Sequence, residues 1–419
     1  MRAIRPSALG NVVWRAIAGG LLLTLAAVVA GPGPTGAAPR RAKSPRAVIA
    51  IVERGMNVLH EDFAVPGGGD VRLPPGVPKV TPVGLPAGGT FEERLGRAQE
   101  GLLGRMAPDT LYYVRGTRIL IYSSSDAPHP DVFADRSHGT GVAGAAVGLK
   151  HGTNPDALLV LVPDAGPAGW EWLAEQSWID AVSTSYVTVL DGTRLCHEAP
   201  FIEDMVDKGR LVFTAVGNGE QAGEVLSPSG VPQAYQVGGV DADGRAYLPN
   251  IDGYQSTTNR PYETGDRFEF ESADSESLGG SMGFGGTSGA TPSTAGRATE
   301  LIEHARSILG SRFTGARAGS LARSEDRRRL PKKGPLADGK LEAAELTEVL
   351  HHIAQPAEPA SPGRYLLEGF GALNGEKVLE LGKAILSGTE EMPDRAQEQA
   401  VHEQVEGARR AAYFDGRCN

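Results

Sequence analysis

Residues 285–292 read Gly-Gly-Thr-Ser-Gly-Ala-Thr-Pro, with Ala295 and Gly296 a turn further on, and this stretch most narrows what the chain can fold into. Small residues crowd one serine, Ser288. Beyond it Ala295, Ala298, Leu301, Ile302 and Ala305 recur at helical spacing. Pro292 fits a first helical turn, where a missing N–H is tolerated. The pattern describes a serine at the mouth of a buried helix, with glycines that let another backbone come close. A helix N-terminus offers unpaired N–H groups and partial positive charge, which suits an oxyanion forming there. A glycine-rich turn with a capping serine would look the same locally. The rest of the chain has to decide.

Ala47–Val52 is short, β-branched and apolar at every position, as in a central parallel strand buried on both faces. Glu53 closes it, at the carboxyl end where open α/β sheets place their sites. Further strands are expected over 118–122, 158–162, 181–185, 211–216 and 235–240. Helices are expected over 91–106, 138–147, 170–179 and 201–207, and Pro66–Gly89 reads as an irregular excursion. Strands alternating with helices predict an α/β fold, a doubly wound, mostly parallel sheet with helices on both faces. After Gly310 two amphipathic helices follow, marked by Leu346, Val349, Leu350 and Ile353 and by Val378, Leu379, Ile385 and Leu386. A charged helix over 395–412 is expected on the surface.

Arg2, Arg5 and Arg15 precede an apolar run over Leu21–Ala30, and small residues follow at Gly36–Ala38. That run is shorter than the ~20 residues a membrane span needs. Residues 1–38 therefore read as a cleaved secretory signal, with an uncleaved anchor as the alternative. The expected product is a secreted, extracellular protein with no stable membrane association after cleavage. In an exported chain the only two cysteines, Cys196 and Cys418, favour a disulfide over two unpaired thiols. A net charge of −10 argues against a nucleic-acid partner, which needs a basic face. The basic run at 327–333 reads as a solvated loop. His151, His304, His351, His352 and His402 have no cysteine or carboxylate at metal spacing, so no metal site is expected. Around Ala337–Lys340 only Asp338 of a calcium loop's oxygen ligands is present, and that reading is rejected.

Three elements stand in one order: an acid ending a strand, His138 opening a helix, and Ser288 opening another. Acyl transfer by serine needs a base for the hydroxyl proton and an acid that holds the base in one tautomer. It also needs donors where the carbonyl oxygen turns negative, and Asn218, in a glycine-flanked turn after a strand, is the natural side-chain candidate. At these residues the chain resembles the subtilisin-like serine peptidases. His138-Gly139-Thr140 with Val142-Ala143-Gly144 matches their histidine motif. Gly286-Thr287-Ser288 with Ala290-Thr291-Pro292 matches the serine motif, Val216-Gly217-Asn218 the oxyanion segment, and Gly369–Asn374 the closing segment. The order acid, His, Ser is the subtilisin one; α/β-hydrolase esterases place their histidine after the serine, and Ala290 stands where their elbow has its last glycine.

The resemblance implies a peptidase domain over 46–386, with an irregular insertion at 64–110 and a helical tail over 387–419. It implies Ser288 as nucleophile, His138 as general acid/base, and Asn218 with the Ser288 backbone N–H as oxyanion donors. Polypeptide substrates would lie along Ser185, Tyr186 and Val187. No cofactor is required, and structural calcium stays open. Four departures accompany it. Glu53 stands where the family has aspartate, with Asp135 as a rival orienting acid. Ser185-Tyr186-Val187 lacks the family's glycine. Gly289 replaces a methionine, which should loosen local packing. Only residues 39–45 separate the signal from the first strand, too few for a prosegment. The expectation is a secreted serine endopeptidase; the alternative is a subtilase-fold pseudopeptidase acting as a binding or interaction module.

Overall fold

β1 (Val48–Glu53) is buried at all six positions and lies between β5 (Leu158–Pro163) and β6 (Ala181–Thr184), parallel to both. Alternate side chains leave opposite faces of a strand. Ile49 and Ile51 therefore join one core, and Val48, Ala50 and Val52 join the other. Two buried faces leave no position for a polar residue before Glu53, which is why the run shows no alternation. The structure is a computed structural model and describes residues 47–126, 130–186, 188–189, 198–218, 226–228, 231, 233–240, 263–267, 269–311, 319–324, 330–355, 369–373 and 375–404. The leader lies outside them.

Among the described residues nine strands make one sheet. Its order is β11 (Glu263–Arg267), β10 (Tyr235–Val240), β8 (Leu211–Ala215), β6, β1, β5, β4 (Ile119–Ser123), β3 (Thr110–Val114) and β2 (Thr81–Val83). Pairing is parallel from β11 to β4; β3 runs antiparallel to β4, and β2 parallel to β3. From β1 the chain passes to the β2 edge, works inward through β3, β4 and β5, then crosses to β6 and works outward to β11. The sheet is therefore the doubly wound, mostly parallel one that the sequence predicts. Two-stranded pairs are formed by β7 (Thr188–Val189) with β9 (Leu226–Ser227), β12 (Glu269–Ala273) with β13 (Ser281–Gly285), and β14 (Ser320–Arg323) with β15 (Lys340–Glu342).

Helices cover both faces. α2 (Arg136–Val147), α5 (Thr287–Leu309), α6 (Ala343–Ile353) and α7 (Glu376–Leu386) share the core of Ile49 and Ile51, whereas α3 (Pro167–Glu175) and α4 (Ala199–Asp207) share that of Val48 and Val52. α1 (Phe91–Ala98) starts on a capping box between Thr90 and Glu93. No helix among the described residues is long and apolar enough to cross a membrane.

Three sequence expectations need correction. Thr81–Val83, within the stretch read as irregular, is an edge strand, where Pro82 forfeits no interior ladder bond. The helix expected over 91–106 ends at Ala98 and continues as a π-type turn over Gln99–Leu103. The helical residues 396–404 are not simply on the surface: Glu398 is buried, and Arg395 donates to the Ala354 carbonyl.

α5 is tied down at its far end. Arg306 forms a bidentate pair with Asp180, both fully buried, and Asp180 Oδ2 also accepts the Val48 backbone N–H at 2.9 Å. One carboxylate thus fixes the start of β1 to the helix that carries Ser288.

Candidate active site

The site forms at the carboxyl ends of β1, β6 and β8, where α2 and α5 begin. Asp135 takes a left-handed conformation (φ 44°), and its carbonyl accepts the backbone N–H groups of His138 and Gly139 to start α2. Gly139 has no alternative there, since a Cβ would run into the Gly55 carbonyl oxygen. The first turn of α2 is therefore pressed against the end of β1. This contact sets His138 Nδ1 2.9 Å from Glu53 Oε2.

Glu53 is 4% exposed, while the His138 side chain is 33% exposed, so the acid is sealed and the base reaches the surface. Burial by itself lowers the His138 pKa; the Glu53 hydrogen bond and charge, with Asp135 further off, more than offset this and leave it above the ordinary histidine value. Asp135, the rival acid, contributes only charge and makes no hydrogen bond to the ring. The second Glu53 oxygen, Oε1, is buried with no partner among the described residues.

The start of α5 is fixed from two sides. Gly286 precedes it with φ 77°, a conformation that favours glycine. Asn218 Oδ1, just past β8, accepts from the Thr287 backbone N–H at 2.9 Å and from the Thr287 hydroxyl at 3.0 Å. The carboxamide lies close against Gly286, where a Cβ would come within 3.0 Å of both Oδ1 and Nδ2. Pro292 lies inside α5 rather than in its first turn, and its missing N–H leaves the Ser288 carbonyl without the usual helical donor. The Ser185 hydroxyl supplies that donor at 2.9 Å. The end of β6 is thereby bonded to the residue read as nucleophile. The His138 ring lies edge-to-face with Phe284, 5.6 Å between centroids, on the strand that leads into α5.

A family model described as the subtilase family (peptidase S8) matches residues 45–316. The chain belongs to the subtilase family. No curated protein matches it significantly. Among solved structures it is similar to the self-cleaved protease domain of PatA, at 17% identity over 83% of this chain and 99% of that one, with a TM-score of 0.48. It is similar too to the PatG macrocyclase domain, at 16% identity, 82% and 92% coverage and TM-score 0.48. A cold-adapted subtilisin-like serine proteinase matches at 21% identity over 63% of this chain and 78% of that one, TM-score 0.37. The family assignment stands on the family match, and the structural likenesses add nothing to it about activity.

In this subtilase, the structure brings Glu53 to His138, and both Asn218 and Ser185 to the start of α5. Tyr186 is 48% exposed just after β6. Val187, Cys196 and Cys418 lie outside the described residues. Gly289 does not loosen the site as expected: the Phe270 ring occupies the space that a Cβ there would take. Sequence reading missed Phe270 and Phe284, which sit in a Ser- and Gly-rich stretch without a clear strand period. The signal available was an excess of small residues, Gly141, Gly144 and Gly289, on the two helices that the hairpin covers. His351, in the C-terminal layer, is stacked on Phe370 at 3.9 Å and pushed down to about 3, by burial first and then by the charge of His352.

Proposed function

We propose that this subtilase is a serine endopeptidase that cleaves polypeptides through an acyl-enzyme on Ser288. The Ser288 hydroxyl attacks the scissile carbonyl carbon and passes its proton to His138 Nε2. Glu53 keeps Nδ1 protonated and stabilises the imidazolium that forms. Asn218 Nδ2 and the Ser288 backbone N–H donate to the oxygen that becomes negative. His138 then returns the proton to the departing amine, and water repeats the sequence to free the acyl group. Each step uses groups of this chain and water, so the proposed chemistry requires no cofactor.

The observation that carries this reading is the 2.9 Å contact between His138 Nδ1 and the buried Glu53 carboxylate. It is the acid–base half of the mechanism, built with glutamate. Tyr186, exposed just past β6, would flank an extended substrate that pairs along the chain there. Export, with cleavage near residue 38, rests on the leader sequence and is checked by sequencing the mature N-terminus. A Cys196–Cys418 bond is checked by non-reducing peptide mapping.

The activity is tested on casein-derived peptides with wild type, Ser288→Ala and His138→Ala. Wild-type turnover that falls by about 10³-fold or more in both variants supports the reading. A natively folded wild type with no turnover would leave a binding module in its place.

A further inference from the structure

The hairpin of β12 and β13 supplies none of the acid, base and nucleophile set, yet it touches the helices that carry His138 and Ser288. Ser272 on β12 donates to the Gly141 carbonyl of α2 at 3.1 Å. Phe284 on β13 fills the space that a Cβ at Gly141 would need, one turn along α2 from His138. Its ring stands edge-to-face against the imidazole, 5.6 Å away at 76°. On its other side it meets Phe270 in the same manner, 6.0 Å away at 82°. Phe270 in turn fills the space beside Gly289, the residue after Ser288. Two rings thus bridge the helix of the base and the helix of the nucleophile, each seated where a glycine leaves room.

We propose that Phe284, braced by Phe270, is a positioning residue for the His138 imidazole. A single hydrogen bond from Nδ1 to Glu53 fixes one ring atom and leaves the ring able to pivot about that bond. Contact with an aromatic ring removes the pivot. Nε2 is then held on one bearing, the condition for proton transfer to or from a fixed hydroxyl. Edge-to-face pairs stabilise by about 0.5–1.5 kcal/mol beyond their area, which corresponds to roughly 2- to 13-fold in rate if the whole contact acts on the imidazole bearing.

The kinetic arm rests on the peptidase reading; a spectroscopic arm does not. Phe284→Leu, Phe284→Tyr and Phe270→Leu are compared with wild type for kcat, KM and the downfield proton resonance of His138 Nδ1–H. The expected result is a fall in kcat of about 3- to 10-fold in Phe284→Leu with KM within about twofold. Its Nδ1–H resonance broadens through faster exchange, and Phe284→Tyr restores both. Phe270→Leu, one ring removed, gives the same changes in weaker form and reads the contact if Phe284→Leu does not fold. A sharp, unaltered Nδ1–H resonance in the leucine variants overturns the proposal, as does a kcat loss that Phe284→Tyr does not rescue. If wild type shows no turnover, the peptidase reading fails by itself, and the Nδ1–H comparison alone decides whether Phe284 holds the ring.

Discussion

Each end of β1 meets a buried carboxylate paired with a nitrogen-bearing side chain from a helix, and the two pairs differ in what they can do. At the amino end Asp180 commits both oxygens, to the two terminal nitrogens of Arg306 and to the Val48 N–H, with almost no exposure on either partner. Arginine cannot give up its proton, so this pair is closed: it can hold but not react. At the carboxyl end Glu53 uses one oxygen, its partner is a histidine, and the histidine stands a third exposed. This pair can change its protonation near neutral pH. The same strand ends in a closed clamp on one side and an open, titratable pair on the other. What separates them is the partner's chemistry and its access to the surface, not the strength of the contact.

The sharpest way to break the contrast is to disable the open pair while keeping its shape. Glu53→Gln should lower kcat by about 10⁴-fold with little change in folding, as loss of the orienting acid does in serine proteases generally. Glu53→Asp should retain measurable turnover on a peptide substrate if the shorter side chain still reaches Nδ1. Equal rates in both would remove Glu53 from the mechanism. The closed pair should respond in the other currency. Arg306→Met leaves a buried aspartate uncompensated and should destabilise by about 3–5 kcal/mol, read from the urea midpoint, with kcat of the folded fraction changed only a few-fold. A large loss of kcat without loss of stability would show that the two ends are not separable.

These differences were unequally legible in the chain. β1 could be read directly, because burial on both faces demands an unbroken apolar run. The serine and histidine motifs were legible because glycine and alanine mark where a helix must press against a strand. Gly139 against Gly55 shows the reason physically. The hairpin was hidden, since Phe284 packs against α2, far earlier in the sequence, and serine and glycine blur its alternation. Pro292 misled in a smaller way: from sequence it fits a first turn, whereas it lies within α5 and its missing donor is replaced by Ser185, over a hundred residues earlier. β2 gave no period because a three-residue edge strand with a proline has none to give.

Acidity sharpens the comparison further. The His138 pKa lies above the ordinary value, so the acid limb of kcat/KM, which tracks the neutral base, should also lie above it. Glu53→Gln removes the main raising influences and should move that limb to lower pH. The stabilising contribution of the Glu53–His138 pair should be full below the unfolded histidine pKa and fade as pH rises through the folded one. His351 has the reverse sign. Held neutral down to about 3, it should cost stability progressively as pH falls from about 6.5 toward 3, because the unfolded chain takes up the proton first. Unfolding curves of wild type and His351→Phe should diverge in that window, in the variant's favour, relative to their difference above it. The smallest expected effect is that of Ser185→Ala, about 1 kcal/mol or some fivefold in kcat, since one hydrogen bond to the Ser288 carbonyl is lost.

Covalent labelling tests most directly whether the open pair arms a serine. A fluorophosphonate should modify wild type at Ser288, mapped by peptide mass spectrometry, and labelling should vanish in His138→Ala. A folded wild type that leaves Ser288 unmodified, or a His138→Ala variant labelled at the wild-type rate, would contradict the account.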